Sequence, residues 1–227
     1  MADSTLLPLG PGLSVGVSFS DAEDGDFRVI DAAPGIEERR RAIVDAPWSW
    51  VRQVHGTTVL EVNEPGQHAG AEADGLLTTS LGTAIAVTTA DCAPVVLLAE
   101  RGVAVVHAGW RGLLGGIIEE AASRLSTLAG APIGSLLGPC IAPAAYEFGR
   151  HDLDQVVARF GPAVESVTES GSPALDVPAA VALACVRAGW PGPERPACTS
   201  DPRWYSHRTR ADRGRQTAVA WLIEDKD

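Results

Sequence analysis

The stretch TAIAVTTADCAPVVLLAERGVAVVHAGWRGLLGGIIEEAASRLSTLAG, residues 83–130, decides the fold. It opens with three short runs rich in Val, Ile and Ala: TAIAVTT (83–89), APVVLLA (93–99) and GVAVVHA (102–108). Runs of this length and composition read as strands. They are apolar at successive rather than alternate positions, which predicts a sheet covered on both faces. The period then changes. From Arg111 to Ala129, Leu113, Leu114, Ile117, Ile118, Ala121, Ala122 and Leu125 recur at helical spacing, and Gly130 stands where a C-cap belongs. One buried helix is predicted after the strand that ends in His107.

Toward the N-terminus, residues 48–79 carry further extended runs, WSWVRQVH, TVLEV and DGLLTT, separated by turn residues. The first fifty residues alternate turn signals with extended runs at 13–19 and 27–30, followed by a charged stretch at 36–44 suited to a short exposed helix. Toward the C-terminus the pattern predicts a strand at 133–137, helices at 152–159 and 178–188, and a last strand at 217–223. The fold class expected is α/β, with a mixed β-sheet, flanking helices and a single compact domain over residues 1–227.

The totals narrow the function. No stretch reaches the roughly 18 uninterrupted apolar residues of a membrane span, and the nearest, 83–99, is interrupted by Asp91. The leading MADSTLLPLGPGL has no basic residue before its apolar run and is broken by Pro8 and Pro11, so it does not read as a secretory signal, and a cytoplasmic location is expected. Four cysteines without CxxC spacing fit a reducing compartment rather than a disulfide framework. A net charge of −11 argues against nucleic acid and anionic membranes as partners and leaves small molecules. Of 18 basic residues only Lys226 is a lysine, which sets aside Schiff-base and P-loop chemistry.

Two of the five histidines, His55 in RQVHG and His107 in VHAGWRG, stand at predicted strand ends beside small residues, and Cys92 follows Asp91 at the break between two strands. Each alone reads more readily as a hydrogen-bonded core residue than as a ligand. Together they form a candidate metal set whose spacing matches no local zinc finger. Two imidazoles and a thiolate leave one coordination position open, the arrangement of a catalytic zinc, which can lower the pKa of bound water to about 7. Copper fits less well, because the only methionine is Met1 and five histidines are too few for several coppers. Asp74 in ADG and Asp91 are candidates for orienting a ligand histidine or acting as general base, the alternative being a turn or capping carboxylate. Cys140, in the loop GPCIAP, is expected to line the pocket. Cys185 and Cys198 read as buried small hydrophobes.

The blocks RQVHG, ADGLLTT, TADCAPVVL, VHAGWRGLLGGI, GPCIAPAAYEFG and YSHRTRADRGR, in order from about residue 48 to the end, resemble the signatures of the multicopper polyphenol oxidase-like family, also called the laccase-domain or peptidoglycan-editing-factor family. The resemblance implies that His55, Cys92 and His107 bind one zinc per chain. It also implies phosphorolysis of purine nucleosides (adenosine, inosine, guanosine, methylthioadenosine) by phosphate, together with adenosine deamination. The chain departs from the family in two places. SFSDAEDGDFRV stands where members usually carry an Arg and a Gly-Gly-x-Ser stretch, and His207 replaces an aromatic in the last block.

Phosphorolysis needs a grip on a dianion, and here arginines must supply it. Arg111 at a predicted helix start, Arg208 and Arg52 are the candidates, and Arg203, Arg208, Arg210, Arg213 and Arg215 crowd residues 201–215, where they could close over phosphate. Two rival readings use the same residues. In one, Cys92 is the nucleophile and His107 the base of a thiol hydrolase or amidase acting on peptidoglycan precursors. In the other, a non-enzymatic binding protein uses zinc structurally and closes the fourth position with a side chain.

Overall fold

A computed structural model describes residues 4–225; Met1 and Lys226 lie outside the described residues. The strands, in chain order, are β1 (Ser4–Gly10), β2 (Leu13–Phe19), β3 (Trp48–Arg52), β4 (Val59–Glu61), β5 (Ala71–Glu72), β6 (Gly75–Thr78) and β7 (Ala84–Thr89). They continue with β8 (Ala93–Ala99), β9 (Gly102–Ala108), β10 (Pro132–Leu137), β11 (Glu165–Val167), β12 (Pro173–Leu175) and β13 (Gln216–Glu224). The helices are α1 (Ile36–Ile43), α2 (Trp110–Gly115), α3 (Ile117–Ala129), α4 (Arg150–Phe160), α5 (Val177–Arg187) and the short α6 (His207–Arg210).

Every residue of β8 and β9 is buried, and the two-residue period of a strand divides their side chains between two cores. Val95, Leu97, Ala104 and Val106 pack with Ile117, Ala121 and Leu125 of α3 and with Val181 and Ala184 of α5. Val96, Leu98, Val103 and Val105 pack with Val15, Val17, Ile85, Val87, Ala218 and Ala220. The antiparallel register sets Val95 opposite Val106 and Val96 opposite Val105, so same-face residues meet in pairs. Fully burying such a side chain contributes about 1.5–3 kcal/mol. The expected covered sheet is therefore a five-stranded one, ordered β10-β8-β9-β6-β4, between helices and a second sheet of six strands ordered β1-β2-β13-β7-β3-β5. Both are mixed, with β3 parallel to β7 and β5, and β4 parallel to β6. A fourth layer covers the outside of the six-stranded sheet, where Phe27, Trp48, Ala84, Ala86 and Val219 cluster under α1, and the Arg40 guanidinium lies over Trp48 and Trp50. The α/β class with flanking helices holds.

Three local expectations are corrected. The single helix at 111–129 is two, because Gly116 adopts φ 94 and closes α2 by donating its N–H to the Gly112 and Leu113 carbonyls. Leu113 and Ile117 nevertheless reach the same core, so the apolar pattern runs across the break and hides it. Residues 27–30 are not a strand. Asp26 accepts the Arg28 N–H at 2.8 Å in a local turn, and Ile30 is left exposed. The strand beginning at Trp48 stops at Arg52, so His55 sits in a turn rather than at a strand end. Strand β1 was not foreseen; it carries Pro8 on a sheet edge, where the missing N–H is tolerated.

Candidate metal centre

Cys92 immediately precedes β8 and His107 lies near the end of β9. Because Pro94 is paired with His107 across the ladder, both side chains belong to the same end of the central sheet. His55 reaches them from the turn after β3, in a left-handed conformation (φ 59) that a side chain rarely adopts. Asp74 explains how it is held there. The carboxylate of this fully buried residue accepts three successive backbone N–H groups, from Val54 at 3.2 Å, His55 at 2.9 Å and Gly56 at 2.7 Å. Its Oδ1 also accepts His107 Nδ1 at 2.8 Å, and its carbonyl accepts the His107 N–H at 2.7 Å. One carboxylate thus fixes one histidine through its backbone and the other through its ring. Burial pushes the Asp74 carboxyl up, yet the hydrogen bonds from His107, Gly56 and Val54 outweigh it and hold the group below its ordinary value.

One donor atom from each of His55, Cys92 and His107 lies within 4.8 Å of the others, with Cys92 Sγ 3.8 Å from His55 Nε2. Burial would raise the Cys92 thiol, but His107 and His55 override it and bring it down to about 6. Burial would likewise lower His107, while Cys92 and Asp74 lift it to about 9. Such a set suits a single divalent metal. The donors are two imidazoles and a stabilised thiolate, and Asp74 accepts a hydrogen bond from His107 Nδ1–H, which leaves Nε2 as the ring atom that would coordinate. Gly109 is required beside them, since a Cβ there would meet His55 Cδ2 at 2.6 Å and Cys92 Sγ at 3.3 Å.

Asp91 plays a different part. At φ 92 it turns the chain into Cys92, and its carboxylate accepts Thr199 Oγ1 at 2.6 Å, Ser206 Oγ at 2.7 Å and the Arg208 N–H at 2.6 Å. Its carbonyl accepts the Ile141 N–H at 2.9 Å. The residue therefore ties the end of the chain and the GPCIAP loop to the turn that carries the thiol.

A cleft of about 610 Å³ opens over the three donors, within the roughly 300–1,000 Å³ usual for small-molecule sites. Its other walls include Arg28, Gln53, Tyr146, Arg208 and Arg213. Arg208 donates from Nη1 to the Glu147 carbonyl at 2.6 Å and lies 4.6 Å from the Tyr146 ring centroid. Of the other expected binding residues, Arg111 is exposed on α2 with its guanidinium 4.2 Å from the Trp110 ring centroid, outside the cleft lining. Arg52 is exposed and ion-paired with Glu72. Cys140 is buried and braces the segment 197–199, bonding to Ala197 and Thr199 through its backbone. Cys185 is buried in the helical core as expected. Cys198, by contrast, is half-buried and accepts hydrogen bonds from the Ala142 N–H at 3.2 Å and Ser200 Oγ at 3.1 Å.

Gln53, Tyr146 and Arg28 were not singled out in the sequence. Gln53 donates to the Thr88 carbonyl at 2.7 Å and accepts the Thr88 N–H at 2.9 Å, continuing the β3–β7 pairing by side chain where β3 has ended. Tyr146 lies in the GPCIAPAAYEFG block, whose aromatic character was the available signal.

Fold and site together define a mixed α/β protein with a candidate His–His–Cys metal centre in an open cleft. The chain belongs to the family described as multi-copper polyphenol oxidoreductase laccase, whose profile matches residues 15–223. It is 36% identical over 242 residues to a protein named purine nucleoside phosphorylase from Xylella fastidiosa, an alignment covering 98% of this chain and 92% of that one. It is 35% identical over 179 residues to a purine nucleoside phosphorylase from Mycobacterium tuberculosis, covering 76% of this chain and 71% of the relative. The crystal structure of YlmD from Geobacillus stearothermophilus superposes with a TM-score of 0.80 at 25% identity, covering 96% of this chain and 94% of that one.

Proposed function

We propose that this protein is a zinc-dependent purine nucleoside phosphorylase. In this reading it converts adenosine, inosine, guanosine and methylthioadenosine, with phosphate, to free base and sugar 1-phosphate, and also deaminates adenosine. The observation that carries the reading is the convergence of His55, Cys92 and His107 at the base of a cleft walled by arginines, in a chain whose relatives bear the phosphorylase name. A zinc ion bound there supplies Lewis acidity at its remaining coordination position. The chain's own residues do the rest. Asp74 keeps the proton of His107 on Nδ1 and the His55 turn in place. Asp91 fixes Arg208 through its backbone, and Arg208 and Tyr146 form the substrate-side wall. In phosphorolysis a phosphate oxygen bonds to the anomeric carbon as the glycosidic C–N bond breaks and the purine leaves with a proton. Arg111, Arg52 and Cys140 have no contact role in this reading. It places the enzyme in the cytoplasm; among the described residues no helix is long and apolar enough to cross a membrane.

The test is incubation of metal-replete protein with adenosine, with and without phosphate. Adenine and ribose 1-phosphate are expected only with phosphate, and inosine and ammonia in either case. Absence of both reactions overturns the proposal. The thiol-hydrolase reading keeps one point in its favour, a thiol flanked by two imidazoles. Iodoacetamide labelling separates the two. A zinc-bound Cys92 resists alkylation until a chelator is added, whereas a nucleophilic Cys92 is labelled fastest in the intact protein and its activity survives chelation.

A further inference from the structure

The cleft holds four guanidiniums, from Arg28, Arg208, Arg213 and Arg215, and their commitments differ. Arg208 is bonded to the Glu147 carbonyl and stacked on Tyr146. Arg215 donates to the carbonyls of Asp212, Arg213 and Gly214, closing its own loop. Outside the cleft, Arg203 pairs with Asp21, and Arg210 with Asp212 and nearby carbonyls. The other two are uncommitted. Arg213 is exposed and has no side-chain hydrogen bond or ion pair among the described residues. Arg28 is half-buried; its Nε is shielded from solvent without a hydrogen-bond partner, and its one ion pair among the described residues, with Asp26, is long at 3.7 Å. A buried donor left unpaired is costly, so the Arg28 guanidinium is not satisfied by the protein alone.

These two arginines belong to adjoining loops that are stitched together. Asp26 Oδ1 accepts the backbone N–H of Arg28 at 2.8 Å and of Arg215 at 3.0 Å, and the Phe27 N–H donates to the Arg215 carbonyl at 2.9 Å. Of the carboxylates lining the same cleft, Asp91 is occupied by Thr199, Ser206 and Arg208, and Asp212 by Ser206 and Arg210. Only Asp31, exposed, has no partner among the described residues. In a chain of net charge −11, this wall thus presents two cations with open hydrogen-bonding capacity.

We propose that Arg28 and Arg213 form the site that binds inorganic phosphate, with Arg28 coming from the SFSDAEDGDFRV loop in which this chain departs from its family. Two planar guanidiniums from different loops can each engage two oxygens of one tetrahedral dianion. The proposal rests on the phosphorylase reading for its choice of anion.

Phosphate affinity is measured by isothermal titration at constant ionic strength, with and without inosine, on the wild-type protein and on Arg28→Gln, Arg213→Gln and the double variant. Arg101→Gln, in the turn at the far end of β8 and β9, is the control. Each single change is expected to weaken phosphate about ten- to a hundredfold, as for losing a charge-assisted contact, and the double change more. The control should match the wild type. Melting temperatures without phosphate identify any variant that has lost its fold, and Arg28→Lys, which keeps charge but loses the fork, should recover only part of the affinity. Phosphate affinity unchanged within twofold in the folded double variant overturns the proposal, as does a wild-type protein that binds no phosphate with or without inosine. The phosphorylase reading fails separately: phosphate binding lost in the variants, with no phosphorolysis by the wild type, keeps the anion site and removes the reaction.

Discussion

Two buried aspartates, Asp74 and Asp91, organise opposite sides of the cleft. Asp74 gathers partners 18 to 33 residues away, all in the turn after β3 or in β9, and serves the metal ligands. Asp91 gathers partners 108, 115 and 117 residues away and serves the chain's end, with Arg208 among them. Both accept a full set of hydrogen bonds, yet one stiffens a centre built within the sheet and the other closes a seam between distant segments. Carboxylates of the same kind therefore carry separable duties, and substitutions at each should damage different properties.

The largest effect is expected from Asp74→Ala. It strands three backbone N–H groups and the His107 ring donor in a buried position, at about 1–3 kcal/mol for each unsatisfied group and about 4 kcal/mol or more in sum. Urea denaturation should register that loss, and metal retained after dialysis should fall along with it. Retention of both stability and metal would mean that the turn holds His55 without the carboxylate.

Asp91→Asn should be milder, since asparagine tolerates the positive φ but can accept fewer of the three donors. A loss of about 1–3 kcal/mol is expected, with faster tryptic cleavage after Arg208, Arg210 and Arg213 and with bound metal unchanged. The comparison breaks if this variant sheds metal as readily as Asp74→Ala does.

Arg111→Ala stands last. Its guanidinium rests on Trp110, an exposed contact of about 0.5–1 kcal/mol, so denaturation should shift slightly and the KM for phosphate should stay within threefold. A tenfold rise in that KM would return Arg111 to the anion site that the sequence assigned it.

The legible parts of the sequence were those whose cause is local. Strands β8 and β9 could be read because both faces are covered and every position but His107 is apolar or glycine. The three metal-ligand candidates could be read because His and Cys stand beside glycine or alanine at breaks in apolar runs. The break at Gly116 could not, since the apolar stripe continues through it onto the same core. Nor could the turn at His55, whose left-handed backbone is stabilised by a carboxylate that is distant along the chain.

By itself, then, the sequence determined the mixed α/β class and the order of the main strands and helices, because short-range periodicity specifies them, and it offered the trio His55, Cys92 and His107 as candidates through their small neighbours and the family resemblance of the blocks that carry them. Only the tertiary structure decided which aspartate serves which side and which of 17 arginines face the cleft with donors to spare. A guanidinium's availability depends on whether some carbonyl or carboxylate has already taken it. That partner can lie 61 residues away, as Glu147 does from Arg208, or 182, as Asp21 does from Arg203, a relation that packing creates and no local pattern encodes.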